Sequence, residues 1–283
     1  MERIEQWAAR ASVFKYLSLG FSPPGPIPYP ELFTRLREAC GCLPERHREV
    51  LAPLVEMEIQ EGPDEGEYWR LFGPGGVVSP YETEYDPLVA ARKGHELADL
   101  MGFYTAFGFK LREPATSGSA LRQAQGSEER RTAERFGPEL TAEGLTVEAS
   151  VEAAQRELPD HLAVELEFLS LLLLKLLYAR REGMREAEEV THTAMTAFLR
   201  DHLGGWVEPF AERVEKAPVS SAFRALAKLL RAFIGEECRL LGVAPLKIHG
   251  TAERPKEAVE CPFASECRAG PLSFSLDIDS SPR

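Results

Sequence analysis

The sequence predicts an all-α protein in which a single domain is built as a helical bundle. Apolar residues recur every three or four positions along most of the chain, which is the period of an amphipathic helix. No stretch alternates apolar and polar residues with β-branched enrichment, so no strand is predicted. Prolines and glycines separate the periodic stretches and divide the chain into about eight to ten helices.

Four helices are predicted in the first part of the chain. The opening helix ends before Pro23–Pro26, because proline lacks the backbone N–H that continues a helix. The predicted spans are residues 1–19, Pro30–Cys40, Pro44–Ile59 and Leu88–Phe107. The aromatic-rich segment Tyr68–Phe72 runs into Gly73–Gly76 and is interpreted as part of a turn-rich loop.

Four further helices are predicted in the second part. Their spans are Leu162–Arg181, Glu186–His202, Trp206–Lys216 and Ser220–Leu241. We expect Asp160 to cap the first of them, because its carboxylate can accept a hydrogen bond from a free N–H of the first turn. Ser220 or Ser221 is expected to cap the last, and Gly204-Gly205 to separate the middle two.

Residues 1–245 are predicted to form the helical domain, and residues 246–283 an irregular, proline-rich C-terminal tail. A mid-chain segment at about 113–157 is rich in Ser, Gly, Gln, Glu and Arg and has few large apolar residues. We interpret this segment as an insertion within the domain.

The charge balance narrows the possible partners. The 283 residues include 33 Lys and Arg against 45 Asp and Glu, which gives a net charge of −12. Binding to nucleic-acid phosphates needs a surplus of basic residues, so a nucleic-acid partner is not expected. An acidic surface favours a basic partner instead.

A cytoplasmic location is expected, without membrane insertion. Acidic residues appear at once in the N-terminal sequence and no apolar signal region follows, so we predict no secretory signal. The most apolar stretch, Leu162–Tyr178, contains Glu165, Glu167 and Lys175, and is too short and too charged to span a bilayer.

The five cysteines, Cys40, Cys42, Cys238, Cys261 and Cys267, match no common zinc or iron–sulfur spacing and no disulfide framework. We interpret them as incidental thiols and predict no metal and no cofactor. The alternative is a metal- or redox-responsive protein in which Cys261 and Cys267 act together with a histidine.

Enzyme signatures are missing from the sequence. There is no dinucleotide fingerprint and no P-loop, since no Gly-Lys-Ser/Thr follows Gly73–Gly76. There is also no nucleophile elbow and no His-Glu-x-x-His. We therefore expect a protein that is not an enzyme.

Two segments are candidates for binding. In Tyr68–Pro74 and Ser79–Tyr85, aromatic residues and prolines either cap the core or form a preorganised binding rim. In Pro159–Leu169, Asp160 and His161 stand at a helix start. In one interpretation the two residues only cap the helix. In the other they face a groove, where the carboxylate accepts hydrogen bonds from an arginine guanidinium.

Together the two segments resemble the TorD/DmsD/NarJ family of redox-enzyme maturation chaperones. That family shows an aromatic-x-x-Leu-Phe-x-Gly-Pro stretch, then Pro-aromatic-Glu-Ser-x-Tyr, and later Pro-Asp-His-Leu-x-x-Glu-Leu-Glu-Phe-Met. This chain has Thr83 where the family has Ser, and Leu169 where it has Met. The resemblance also includes Tyr16–Ser18 and the stretch from Phe198 through His202 to Trp206. It covers roughly residues 1–112 and 158–242.

The resemblance implies a TorD-like helical fold and a cytoplasmic chaperone. Such proteins bind the apo catalytic subunit of a molybdopterin-containing oxidoreductase, often through its twin-arginine signal peptide, until the cofactor is inserted. The peptide-binding residues that the resemblance implies are Tyr68, Leu71, Phe72, Pro80, Tyr81, Glu82, Asp160 and His161. Glu165 and Glu167 also match the motif, and we interpret them as structural.

Some alternatives stay open at this stage. The protein is either a transient chaperone or a permanent assembly subunit of an oxidoreductase complex, and either a monomer or a homodimer. The sequence does not name the client, and it shows no phosphate loop that would support nucleotide binding.

Overall fold

Nine α-helices form the part of the chain that the computed structural model describes, namely residues 4–25, 27–56, 62–85, 93–111 and 158–246. The first five are α1 (Ile4–Gly20), α2 (Tyr29–Gly41), α3 (Glu45–Val55), α4 (Glu65–Phe72) and α5 (Lys93–Ala106). The other four are α6 (Leu162–Arg181), α7 (Arg185–Asp201), α8 (Leu203–Lys216) and α9 (Ser221–Leu240). The predicted all-α class is confirmed.

The boundaries follow the predicted ones closely, and those of α6 are the same. Residues 57–59 and 88–92, at the ends of two predicted helices, lie outside the described residues. So do the whole of the predicted insertion at 113–157 and all of the predicted tail at 246–283 except residue 246. The described helices all belong to one unit, Met1–Thr251.

The segment Tyr68–Phe72 is helical, and its interpretation as part of a loop was wrong. It forms the end of α4, whose first turn is capped by Asp64. The Asp64 carboxylate accepts a hydrogen bond from the backbone N–H of Glu67 at 2.6 Å. Because this cap stands four residues before Tyr68, a helix signal was present upstream of the aromatic residues.

The break between α7 and α8 lies at His202, and the prediction that Gly204-Gly205 separates the helices was wrong. His202 has φ −121° and ψ −104°, which takes the chain out of one helix, and α8 begins at the next residue. Both glycines therefore lie in the first turn of α8. A Cβ at Gly204 would clash with the carbonyl oxygen of Leu199, so the tight junction explains the glycine.

The structure identifies the N-cap residues of α6 and α9. His161, and not Asp160, is the N-cap of α6, because His161 Nδ1 accepts from the backbone N–H of Ala163 at 3.1 Å. Ser220 is confirmed as the N-cap of α9, where its hydroxyl accepts from the N–H of Phe223.

Helices α1 and α6 pack side by side in opposite directions. The hydroxyl of Ser18 donates to the carbonyl oxygen of Ala163, and that of Ser170 donates to the carbonyl oxygen of Ala11. At the far end of the pair, the Arg180 guanidinium lies 4.9 Å from the centre of the Trp7 ring. One end of α6 therefore carries the Pro159–Leu169 motif, and the other end lies about 29 Å away at 1.5 Å per residue.

Aromatic side chains join the first half of the chain to α8 and α9. Phe72 of α4 stacks on Phe210 of α8 at 6.0 Å and meets Phe223 of α9 edge-on at 5.2 Å. Phe14 of α1 meets Phe233 of α9 at 4.8 Å. All five rings are buried, so the core is continuous between these four helices.

A buried ion pair links α1 to α9. Arg10 Nε and Nη2 donate to the carboxylate of Glu237 at 2.8 and 2.7 Å, and His47 Nε2 lies 3.2 Å from the same group. Burial by itself raises the pKa of Glu237, but Arg10 and His47 outweigh it, so that the pKa of Glu237 is lowered. Glu237 is therefore a buried carboxylate whose charge is compensated.

None of the helices in the described ranges combines the length and the apolar character that crossing a bilayer requires.

Glu237→Gln should lower the free energy of unfolding by about 3 kcal/mol, because it removes the buried carboxylate that pairs with the Arg10 guanidinium. Urea denaturation at neutral pH measures the change. The control is Glu31→Gln, which removes an exposed pair with Arg35 and should change the value by less than about 0.5 kcal/mol. Equal losses of unfolding free energy in the two variants would contradict the assignment of Glu237 to a stabilising buried ion pair.

Candidate functional site

The two motifs meet directly in the structure. The backbone N–H of Glu82 donates to the carbonyl oxygen of Asp160 at 2.9 Å, and the N–H of Leu162 donates to the carbonyl oxygen of Pro80 at 2.9 Å. These bonds form an isolated antiparallel bridge between Tyr81 and His161. We call this meeting point the motif junction, and it comprises residues 80–82 and 160–162.

Side chains reinforce the motif junction. The hydroxyl of Thr83, in the short 3₁₀ turn Glu82–Glu84, donates to Asp160 Oδ2 at 2.6 Å. The rings of Tyr81 and His161 meet edge-on at 5.2 Å. The phenol of Tyr104, on α5, donates to the carbonyl oxygen of Pro159 at 2.7 Å. Three segments far apart in sequence are thus tied to one place.

The start of the first motif belongs to the core. Tyr68 and Phe72 pack ring against ring at 5.4 Å, and Leu71 between them is fully buried. The chain then reverses through the glycine-rich stretch, where Val78 N–H donates to the carbonyl oxygen of Leu71. Gly73 is required there, because a Cβ would clash with the carbonyl oxygen of Trp69.

The predicted peptide-binding residues fall into two groups according to their exposure to solvent. In this conformation Tyr81 is half-buried and open to solvent in part. The other seven are buried: Tyr68, Leu71, Phe72, Pro80, Glu82, Asp160 and His161. On the surface around them, the Trp69 side chain is 44% exposed and Val77 is 57% exposed.

Three carboxyl side chains are gathered at the motif junction, and we call Glu82, Asp160 and Glu165 the acid cluster. Each lies within the electrostatic range of the other two, and all are almost completely buried. Glu82 comes from the 3₁₀ turn, Asp160 precedes α6, and Glu165 stands in the first turn of α6. The junction thus concentrates acidic groups inside the protein.

His202 compensates part of this charge. Its Nδ1 lies 3.3 Å from both carboxylate oxygens of Glu82, and its Nε2 lies 3.2 Å from Asp99 Oδ2 on α5. A neutral imidazole has one N–H, so both contacts are satisfied as donated hydrogen bonds when His202 is protonated. Burial lowers the pKa of His202, but its hydrogen bonds and charge interactions with Glu82 and Asp99 prevail and raise it.

Fewer hydrogen-bond donors face the carboxyl group of Glu165. Trp206 Nε1 donates to its Oε2 at 3.3 Å, while Oε1 has no hydrogen-bond partner among the described residues. Burial raises the pKa of Glu165 well above its usual value, and the neighbouring Glu82 raises it further. A protonated, neutral Glu165 is the form that this environment favours.

His161 is held as a neutral imidazole. Burial lowers its pKa to about 3, and its Nδ1 already accepts the N–H of Ala163. His161 is therefore a structural cap and does not balance the charge of the acid cluster near neutral pH.

Sequence reasoning placed Glu165 among the structural residues and did not single out His202, Asp99, Tyr104 or Trp206 as parts of the site. A signal existed for two of them, because His202 and Trp206 lie in the stretch from Phe198 that carried part of the resemblance. Asp99 and Tyr104 lie on α5, and no sequence spacing links that helix to the motifs.

The described residues contain no group of three or more His, Cys, Asp or Glu side chains that could hold a metal ion. Cys261 and Cys267, which carried the alternative of a metal- or redox-responsive protein, lie outside the described residues. Of the other cysteines, Cys40 and Cys238 are buried free thiols and Cys42 is exposed.

Glu165→Gln should make stability less dependent on pH. A carboxyl whose pKa is raised by folding stabilises the fold at low pH, and this contribution is lost as the pH rises through the folded pKa. The variant should therefore gain stability relative to the wild type above about pH 4.5, by at most about 1.4 kcal/mol per pH unit. Urea denaturation from pH 5 to pH 9 measures the difference, and a difference independent of pH would refute the raised pKa.

Comparisons with known proteins support the family that the two motifs indicated. Residues 128–212 match the family model described as "Nitrate reductase delta subunit". The match includes the motif Pro159–Leu169, α7 and most of α8, and it begins within the segment interpreted as an insertion. No solved structure gives a significant match.

Three curated relatives are chaperones by name, and two of them are named as assembly chaperones of a reductase. The selenate reductase assembly chaperone of Thauera selenatis is 34% identical over 119 residues, 37% of this chain and 61% of the relative. The chlorate reductase assembly chaperone of Ideonella dechloratans is 43% identical over 68 residues, 24% of this chain and 34% of the relative. The chaperone TorD of Vibrio cholerae is 27% identical over 134 residues, 44% of this chain and 54% of the relative.

In each of these matches the chain spans less than two thirds of the relative's own length. The matched family model, the names of the relatives and the all-helical fold agree with the expectation from the two motifs. They confirm the resemblance of this chain to the TorD/DmsD/NarJ family of redox-enzyme maturation chaperones.

Proposed function

We propose that this protein is a maturation chaperone for a molybdopterin-containing oxidoreductase of the DMSO-reductase type. It binds the apo catalytic subunit in the cytoplasm, through its twin-arginine signal peptide, and assists cofactor insertion before export. It is not itself an enzyme. The observation that carries the proposal is the similarity to assembly chaperones of selenate and chlorate reductases.

The chemistry of the site supports a peptide of this kind. A twin-arginine signal combines two adjacent guanidinium groups with an apolar region. Around the motif junction, the acid cluster and the exposed Glu84 supply carboxyl groups that can pair with a guanidinium. Tyr81, Trp69 and Val77 supply partly or largely exposed apolar surface nearby in the chain. Opposite charge and apolar area are the two features that such a ligand requires.

Burial indicates how the predicted residues divide the task. Tyr81 is partly open to solvent and is the natural first contact for the peptide. Tyr68, Leu71 and Phe72 hold the start of the first motif in the core, so they position the surface that follows. Pro80, Glu82, Asp160 and His161 are buried at the junction, so a peptide reaches their side chains when the junction opens.

Co-purification tests the proposal directly. Affinity-tagged protein is expressed in its native host, and the bound proteins are identified by mass spectrometry. We expect the catalytic subunit of a molybdenum oxidoreductase, with its signal peptide intact and without its cofactor. Recovery of the fully assembled, cofactor-loaded enzyme would indicate a permanent subunit instead of a chaperone.

Tyr81→Ala should weaken binding of a twin-arginine signal peptide about 5- to 30-fold, the usual effect of truncating an aromatic anchor at an interface. Isothermal titration calorimetry measures the affinity. The control is Tyr178→Ala, which changes a half-buried tyrosine near the other end of α6 and should leave the affinity unchanged. Equal affinities in the wild type and Tyr81→Ala would rule out this contact.

Peptide binding should also weaken as salt is raised from 50 to about 500 mM, because screening reduces the attraction between arginines and carboxylates. A peptide in which both arginines are replaced by citrulline, a neutral isostere, serves as the control and should show little salt dependence. Salt-independent binding of the arginine peptide would show that charge does not contribute.

A further inference from the structure

Within the part of the chain that the structure describes, the acid cluster holds more carboxyl groups than its basic contacts balance. Against its three carboxyls, one basic side chain among the described residues, His202, forms hydrogen bonds with it. His202 is shared with a fourth carboxylate, because its other nitrogen faces Asp99. A buried site of this composition lowers its energy either by retaining protons or by binding a cation.

Two carboxyl oxygens in the cluster are unsatisfied. Asp160 Oδ1 and Glu165 Oε1 are buried and have no hydrogen-bond partner among the described residues. Both residues are completely buried, and the second oxygen of each is engaged, by Thr83 and by Trp206 respectively. Unsatisfied buried acceptors are costly, so each marks a place where a donor improves the site.

A guanidinium is the cation that suits this arrangement. The described carboxyl groups are not placed to hold a single metal ion. A guanidinium instead offers five N–H donors spread over a plane, so it can donate to several carboxyl oxygens at once. It is also always protonated in proteins, so it brings a full charge at any pH of interest.

The cluster is connected to the surface at one side. His202 is buried, but its partner Asp99 has a side chain that is 63% exposed. Tyr81, the neighbour of Glu82 in sequence, is partly open to solvent as well. A cation that approaches the motif junction therefore meets the negative charge of Asp99 first, before it reaches the buried carboxyls.

We propose that an arginine of the client peptide binds at the acid cluster and thereby drives the proton off Glu165 into solvent. The neutral carboxyl loses H⁺ and becomes a carboxylate that accepts from the guanidinium, so one proton is released for each peptide bound. This inference rests on the proposed function and adds its regulation, because binding becomes tighter as the pH rises.

The groups that surround Glu165 favour this exchange. Those that face it or its cluster partners are Glu82, Asp160, Asp99, Glu96, Tyr104, His202 and Trp206. Glu82 and Asp160 face Glu165 itself and favour its protonated form until another cation arrives, while Trp206 donates to the carboxyl. His202 is the basic member and already serves Glu82 and Asp99.

The test measures proton release on peptide binding. The probe is a synthetic peptide with two adjacent arginines before about 12 apolar residues, without histidine and with an acetylated N-terminus, so that it does not titrate between pH 6 and 8. Calorimetry is run at pH 7 in two buffers of different ionisation enthalpy. We expect close to one proton released per peptide, and an affinity that rises by up to about tenfold per pH unit.

Variants of the protein test whether the released proton comes from Glu165. Glu165→Gln keeps the shape of the protonated carboxyl but has no proton to lose, so it should still bind while proton release falls close to zero. Glu208→Gln makes the same chemical change at an exposed position on α8 and should leave proton release as in the wild type. The citrulline peptide should release no proton from the wild type.

The possible results distinguish a failure of the proton-release inference from a failure of the signal-binding function. Binding by the wild type without proton release, or equal release from the wild type and Glu165→Gln, overturns the inference and leaves the chaperone function in place. Equal release with the arginine and citrulline peptides also overturns it. If the wild type binds neither peptide at any pH from 6 to 8, the signal-binding function itself fails. The wild-type measurements need no variant to fold.

Discussion

Two backbone hydrogen bonds at the motif junction are the constraint on which the rest of the site depends. They join residues 80–82 to residues 160–162, which are separated by about 80 positions in the chain. Once they form, Tyr81 stands beside His161, and Glu82 is brought to Asp160, Glu165 and His202. The site is thus assembled by pairing of extended backbone within an otherwise helical fold.

The protein buries carboxyl groups in two places and treats them differently. Glu237 receives a bidentate guanidinium and a histidine, so it stays ionised and holds α1 to α9. Glu165 receives a single indole N–H and lies among other acids, so it favours the neutral form. The charge of Glu237 is balanced by its own neighbours, while the site around Glu165 still has carboxyl oxygens without a hydrogen-bond donor. This contrast separates a structural ion pair from a site poised for a ligand.

The motif residues therefore have a structural role before any role in binding. Phe72 stacks on Phe210, Asp160 accepts from Thr83, and His161 caps α6. A pattern that resembles the TorD/DmsD/NarJ motifs can reflect the need to build this junction as much as the need to touch a peptide. Under the proposed function the two roles are compatible, because a buried acid cluster projects its potential to the surface at Asp99 and Tyr81.

The sequence by itself determined the all-α class, the bounds of α6, a serine cap at Ser220 or Ser221 and the pair of motifs, because helical periodicity and capping are local properties. Local patterns also misled, since Tyr68–Phe72 is helical and the chain breaks at His202 instead of at the glycines. Only the tertiary structure decided that Asp160 faces Thr83 and that His202 and Asp99 join the site. Contacts between residues 77 to 120 positions apart depend on how helices pack, and no local pattern encodes that packing.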